Sequence, residues 1–315
     1  MNKRIVIALG GNALLDPKAD GSVAEQIRVI ERSCEKIAQI IAQGYGVVVT
    51  HGNGPQVGNL LIQQEEAKEL VPSLPLDVCD AMTQGQLGYW IQQKLREVLA
   101  RRGLAKSVVT VVTQVRVDPN DPAFASPTKP IGPFYSESER LVLEQKGYVL
   151  RRVGQGARAW RRVVASPDPK EIVELEPIRA LLEAGVVVIA CGGGGVPVVC
   201  EDGHWRGVEA VIDKDLASAL LAIELGAHVL LILTDVERVA LHFGTPRQRL
   251  LERMSVREAR KYLSEGHFPA GSMGPKVEAA IRFLEAGGER ACITSLEKAL
   301  EALEGRAGTE VYRGL

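Results

Sequence analysis

With 315 residues the chain is long enough for one large α/β domain or two lobes, since compact domains run to about 100 to 200 residues. Hydrophobic and charged shares of 46% and 24% exclude a disordered or collagen-like chain, and a formal net charge of −1 leaves no global basic field to hold nucleic acid. Cys34, Cys79, Cys191, Cys200 and Cys292 are odd in number and lack a C-x-x-C pair, which argues against a disulfide framework or a zinc site and for buried reduced thiols.

Ile5, Val6, Ile7, Ala8 and Leu9 form a continuous apolar run, as expected of a strand covered on both faces in a parallel sheet. A signal peptide would also begin with basic residues, but this run breaks at Gly10-Gly11-Asn12 and meets no small-residue cleavage site. No stretch approaches the roughly 18 continuous apolar residues of a membrane span, so a cytoplasmic protein without a membrane or nucleic-acid partner is expected. Ser22 with Glu25 predicts a capped helix start, and Val23, Ile27, Ile30, Cys34, Ile37 and Ile41 recur at helical spacing until Gly44. Val47–Val49 predicts a second buried strand. Helices are expected from about Pro55 to Leu70 and from about Asp77 to Arg102, then a strand at Val108–Thr113. Gly85 and Gly88 in the longer helix each cost about 1 kcal/mol against alanine, a cost that close helix packing, within the chain or across a dimer, would offset.

The rhythm breaks over residues 115–170. Pro119, Pro122, Pro127, Pro130 and Pro133 fall close together, Ser136 and Glu139 mark a short-helix cap, and Arg151, Arg152, Arg158, Arg161 and Arg162 follow. A structureless loop of that length is unusual in a compact domain, so a small excursion with its own hairpins is expected, either a lid or a surface insertion without function. From Pro177 the alternation resumes: a helix over Pro177–Ala184, a strand at Val186–Ala190, a helix over Lys214–Leu225 and a strand at Val229–Leu233. A capped helix at Ser255 and Glu258, a helix over Val277–Glu285 and a strand at Ala291–Thr294 complete the series. This is the pattern of an α/β sandwich.

Glycine-rich turns sit where three strands end: Gly10-Gly11-Asn12, Gly52-Asn53-Gly54 and Gly192-Gly193-Gly194-Gly195. Each alone is more simply a tight turn, but three at strand ends in an α/β chain favour anion binding beyond the carboxyl edge of the sheet. The P-loop pattern and the protein-kinase H-R-D set are absent, and the dinucleotide spacing fails because Val57 stands where its last glycine belongs. Lys214, between Asp213 and Asp215, and Lys276, at the end of Gly271-Ser272-Met273-Gly274-Pro275-Lys276, would each be a surface residue by default. Beside three anion turns they suggest a clamp for phosphoryl transfer, whose transition state is highly charged. Asp215 either holds both lysines in register or is a helix-start acid favourable to the dipole.

ALGGNALL at the start, THGNGPQVGNLL from Thr50, TKPIGPFY from Thr128, GVEAVIDKDLASALLA from Gly207, LTDV from Leu233 and GSMGPK from Gly271 resemble the motif set of the carbamate kinases, within the amino-acid-kinase family. The resemblance spans nearly the whole chain. It implies an open αβα sandwich with a mainly parallel central sheet, a small protruding lid at about 115–170, and usually a homodimer. Residues 1–176 would form the carbamate-binding half and 177–315 the ATP-binding half.

Carried residue by residue, the resemblance places Gly10, Gly11, Asn12, Gly52, Asn53, Gly54 and Lys129 around the transferred phosphate and carbamate. Lys214 and Lys276 would neutralise the moving phosphoryl group, with Asp215 orienting them. Thr234, Asp235, Val236 and Met273 would border ATP or ADP. After Val236 the chain departs from the family pattern, with Ala240 and His242 where Tyr and Asn are usual. Carbamate is already an anion and needs no protein base, and Mg²⁺ would be held mainly through ATP phosphates, with no protein ligand assigned. The reaction expected is ATP + carbamate ⇌ ADP + carbamoyl phosphate. Two alternatives stand beside it: the same fold acting on another small carboxylate or phosphate acceptor, and a ligand-binding regulator without turnover.

Overall fold

The computed structural model describes residues 3–16, 21–154, 156–269 and 271–314. Strand β1 (Arg4–Leu9) lies between β2 (Gly46–His51) and Val229–Thr234, parallel to both. Its side chains alternate between two cores, Val6 and Ala8 on one face and Ile5, Ile7 and Leu9 on the other, which is why the sequence shows an unbroken apolar run. Helices α1 (Val23–Ala42) and α3 (Leu76–Arg101) close the second face with Ile30, Ile37, Leu87 and Ile91, while α2 (Gly54–Ala67) starts at the end of β2. After α4 (Glu137–Gln145), helices α5 (Leu175–Glu183), α6 (Lys214–Glu224), α7 (Val256–Ser264) and α8 (Met273–Glu285) carry Ile178, Leu221, Ala259 and Ile281 into the first core. The result is helix, sheet, helix.

The eight-stranded sheet runs Arg253–Ser255, Thr309–Tyr312, Arg290–Ser295, Val229–Thr234, β1, β2, Val187–Ile189, Val108–Thr110. Only the two strands at the first edge run against the rest, Thr309–Tyr312 pairing antiparallel with Arg290–Ser295. The α/β class and mainly parallel sheet are as expected. The division at 176/177 does not follow the sheet, because Val187–Ile189 is inserted between β2 and Val108–Thr110. The strand expected at 108–113 stops at Thr110; the N–H of Thr113 goes to Gln84 Oε1 at 2.8 Å.

The excursion is smaller than the proline-rich stretch suggested. Gln114–Val117 and Pro169–Ile172 pair with each other and, through Val196–Glu201 and His204–Gly207, make a separate four-stranded sheet. What protrudes is an antiparallel sheet of Lys129–Ser136, Arg158–Val164 and Leu150–Arg152 with α4 beside it. Ser136 and Glu139 form a full capping box on α4, as Ser255 and Glu258 do on α7. The protrusion touches α2 through bare backbone: a Cβ on Gly58 would lie 1.9 Å from Cα of Gly132.

Gly88 earns its place within the chain, since a Cβ there would lie 2.3 Å from Cγ2 of Thr110 on the edge strand. Gly85 instead opens onto space, on an exposed α3 face that also carries Val78, Met82 and Tyr89. Cys34, Cys79, Cys191 and Cys292 are buried thiols, but Cys200 is exposed, contrary to the expectation for all five. Among the described residues no helix is long and apolar enough to cross a membrane.

Candidate active site

Leu9 pairs with His51 on one side and Leu233 on the other, so three strands end side by side and their turns open together. Gly10 must be glycine because a Cβ would sit 2.6 Å from the carbonyl oxygen of Leu233. Gly10, Gly11 and Asn12 border a cavity of 330 Å³, which Thr234, Asp235, Val236 and Met273 also line. Gly52, Asn53, Gly54 and Lys129 line a second cavity of 160 Å³. Gly11, Lys214, Gly271, Ser272 and Lys276 belong to both walls. The two cavities therefore meet at the two lysines.

Three helices start at this junction: α2 at Gly54, α6 at Lys214 and α8 at Met273. Helix starts present unpaired N–H groups and the positive end of the dipole, so the junction favours anions before any side chain is counted. Asp213 caps α6, its Oδ1 accepting from the N–H of Asp215 at 2.9 Å. Lys214 Nζ donates to Asp215 Oδ1 at 2.5 Å, and Lys276 Nζ donates to Asp215 Oδ2 at 3.0 Å and to Ser272 O at 3.3 Å. One carboxylate thus holds both ammonium groups, while also standing in the first turn of α6. Burial would raise the pKa of Asp215, but the charges of Lys214 and Lys276 outweigh it and hold the acid below its usual range. Burial pushes Lys214 down despite Asp215, whereas the same carboxylate lifts Lys276 against its burial.

Lys214 reaches the junction over Gly52, where a Cβ would lie 3.6 Å from its Cδ. Lys129, on the first strand of the protrusion, donates from Nζ to Asp213 Oδ2 at 2.6 Å. All the residues expected from the sequence are thereby brought to one pair of cavities, with Gly10 and Asn12 on the larger rather than the smaller. The third glycine turn is different. Gly192, Gly193 and Gly194 form a buried 3-10 turn and Gly195 follows, with φ of 69°, 100° and 88° at Gly193, Gly194 and Gly195. Its glycines admit close neighbours, His51 Nε2 against Gly192 and Ile212 O against Gly194, and only Gly193 faces the smaller cavity.

The histidine beside the Gly52 turn is not placed as a base. His51 is buried, its Nδ1 lies 2.9 Å from Gly52 O, and burial lowers its pKa to about 4, so it is neutral at pH 7. Among the described residues no group of three His, Cys, Asp or Glu side chains is placed to hold a metal, and Asp213 and Asp215 are already engaged by lysines.

Several residues escaped the sequence reading. Ala240 lines the larger cavity, but aromatic surface comes from Phe243 and Phe268, with His267 also in the wall; His242, in the left-handed region at φ 51°, packs edge-on against His267 at 4.5 Å. Behind Asn53 lie Asp80 and Thr83, both buried on α3. A signal existed: Leu76, Asp80, Thr83, Leu87 and Ile91 share one helical stripe, and polar residues on an otherwise apolar stripe mark a buried polar contact.

The amino acid kinase family model matches residues 3–295. The chain is 56% identical over 314 residues to the carbamate kinase of Pyrococcus furiosus and 54% identical over 314 residues to that of Pyrococcus horikoshii, covering 99% of each chain in both cases. It is also similar to the structure of carbamate kinase from Giardia lamblia bound to AMP-PNP, with a TM-score of 0.91, 45% identity and 99% of each chain covered.

Proposed function

The chain belongs to the amino acid kinase family and within it to the carbamate kinases, and from that premise we propose how its cleft runs ATP + carbamate ⇌ ADP + carbamoyl phosphate. The observation that carries the proposal is the meeting of two cavities at Lys214 and Lys276. ATP lies in the larger cavity, its base against Phe243 and Phe268 and its phosphates bordered by Thr234, Asp235, Val236 and Met273. Carbamate lies in the smaller, among Gly52, Asn53 and Gly54, with Lys129 above it and the γ-phosphoryl group at Gly10, Gly11 and Asn12.

A carbamate oxygen attacks the γ-phosphorus, the new O–P bond forms, and the bond to the β-phosphate oxygen breaks in line. No proton moves, and His51, the buried histidine beside the Gly52 turn, is neutral. Lys214 and Lys276 balance the charge of the moving group, and the three helix starts add to their field. Asp215 keeps both ammonium groups at a fixed separation. Asp213 and Asp215 are committed to lysines, so Mg²⁺ would be held mainly through the nucleotide, where it would supply charge neutralisation on the phosphates.

The nucleotide and carbamate halves, a lid role for the protrusion and a cytoplasmic location belong to the same proposal. So does a homodimer joined through the exposed Val78, Met82 and Tyr89 face of α3. Formation of ATP from ADP and carbamoyl phosphate by the purified protein tests the reaction. If other acyl phosphates serve and carbamoyl phosphate does not, the acceptor is wrong.

A further inference from the structure

We infer that Asp80 and Thr83, which line neither cavity, are positioning residues that lock the amide of Asn53 so that its carbonyl oxygen meets the amino group of carbamate. The inference rests on the carbamate reading above.

Asn53 occupies the cap position of α2, yet its side chain does not cap the helix. It turns into α3, where Nδ2 donates to Asp80 Oδ1 at 2.6 Å and to Thr83 Oγ1 at 2.8 Å. The two ends of an amide have the same shape, so the partners must decide its orientation. Thr83 decides it. Its hydroxyl hydrogen goes to the carbonyl oxygen of Asp80 at 2.7 Å, so toward Asn53 it offers only a lone pair, and the amide nitrogen must face it. Both hydrogens of Nδ2 are then committed. Asn53 lines the smaller cavity, and the one group its side chain has left for a ligand there is an acceptor oxygen.

The amide is fixed from the opposite side as well: a Cβ on Gly193 would lie 2.3 Å from Asn53 Nδ2. Asp80 is 1% exposed, and its Oδ2 has no partner among the described residues. Burial raises its pKa well above the carboxylate range despite the bond from Asn53, and Asp77 adds to the rise. The shift favours the protonated form, which would leave Oδ1 to accept from Asn53 and lessen the negative charge buried behind an anion site.

Carbamate, acetate and their phosphates share the carboxyl geometry and differ in the third substituent. An NH₂ group supplies the hydrogen that a buried acceptor needs, whereas a methyl group leaves that acceptor unpaired. Sites built this way discriminate strongly against an analogue lacking the donor.

The test compares ATP formation from ADP with carbamoyl phosphate and with acetyl phosphate in the wild type, Asp80→Ala, Thr83→Val, Asp80→Asn and Asn53→Ala. Asp80→Ala and Thr83→Val should each raise KM for carbamoyl phosphate about tenfold and narrow the carbamoyl-over-acetyl preference about tenfold, the loss expected of one hydrogen bond. KM for ADP should stay within about twofold, a change of only a few tenths of a kcal/mol. Asp80→Asn keeps an acceptor oxygen for Nδ2 and should restore the wild-type preference. In an Asn53→Ala background, Asp80→Ala should add nothing, because it acts only through Asn53. Equal shifts in both substrates' KM, an unchanged preference or additive effects in the double variant would overturn the positioning role. If Asp80→Ala does not fold, the near-isosteric Thr83→Val decides by the same criteria. A wild type that makes no ATP from carbamoyl phosphate would instead bring down the carbamate reading, and this inference with it.

Discussion

Asp215→Ala removes the one carboxylate shared by two nearly buried ammonium groups, whose side chains are only 10% and 13% exposed at Lys214 and Lys276. Removing one partner of a buried ion pair costs about 3–5 kcal/mol, because an uncompensated charge stays behind. With an unfolding entropy of about 2.1 cal/mol/K per residue over 315 residues, that loss lowers Tm by about 5–8 °C. Adding Lys276→Met removes one stranded charge and should recover part of the fall, although not the activity. The pH dependence has a definite sign. Asp215 is held below its usual pKa, so its contribution is complete above the unfolded value of about 3.9 and is lost as pH falls through the lower folded value. Calorimetry of wild type and variant should show the full gap at pH 7, closing below about pH 4. A Tm within about 1 °C of wild type at pH 7, far inside the expected fall, or a gap that widens on acidification, would refute the shared-carboxylate account.

Lys276→Ala leaves Asp215 paired with Lys214, so the fold should persist while kcat falls about ten- to a hundredfold, the worth of one charge-assisted bond to the phosphoryl group; stopped-time ATP assays with circular dichroism check both halves. Lys129→Ala should raise KM for carbamoyl phosphate and leave KM for ADP unchanged, since Lys129 borders only the smaller cavity; steady-state kinetics in both substrates decide it. Gly58→Ala drives a methyl group into the backbone of Gly132 and should cost about 1–3 kcal/mol as the protrusion is pushed off α2. Limited proteolysis should then cut within residues 129–164 faster than in wild type, and an unchanged cleavage rate would show that the contact can yield without undocking.

Local order was legible because it is written locally. The cap residues Ser136 and Ser255, the apolar run of β1 and the helical spacing of α1 each encode their own backbone. The limits of the protrusion were not, because Gln114–Val117 and Pro169–Ile172 are strands by pairing with each other, and the first also with Val196–Glu201, all partners distant in sequence. The insertion of Val187–Ile189 inside the N-terminal half of the sheet is non-local in the same way. In the site, residues that sit on turns announced themselves through glycine and lysine. Asp80 did not, since an acid in the first turns of a helix looks like a dipole partner until its burial is known.

The foot of the protrusion has a consequence beyond binding. Lys129 holds Asp213, Asp213 caps α6 through the N–H of Asp215, and Asp215 holds Lys214 and Lys276. These five residues form one continuous relay, from the first strand of the protrusion to the point where the phosphoryl group would pass. On the proposed lid role, raising the protrusion would take a cation from the acid that anchors the clamp, and lowering it would return that cation. Enclosing the acceptor and setting the charges that receive the phosphoryl group would then be the same movement seen from its two ends.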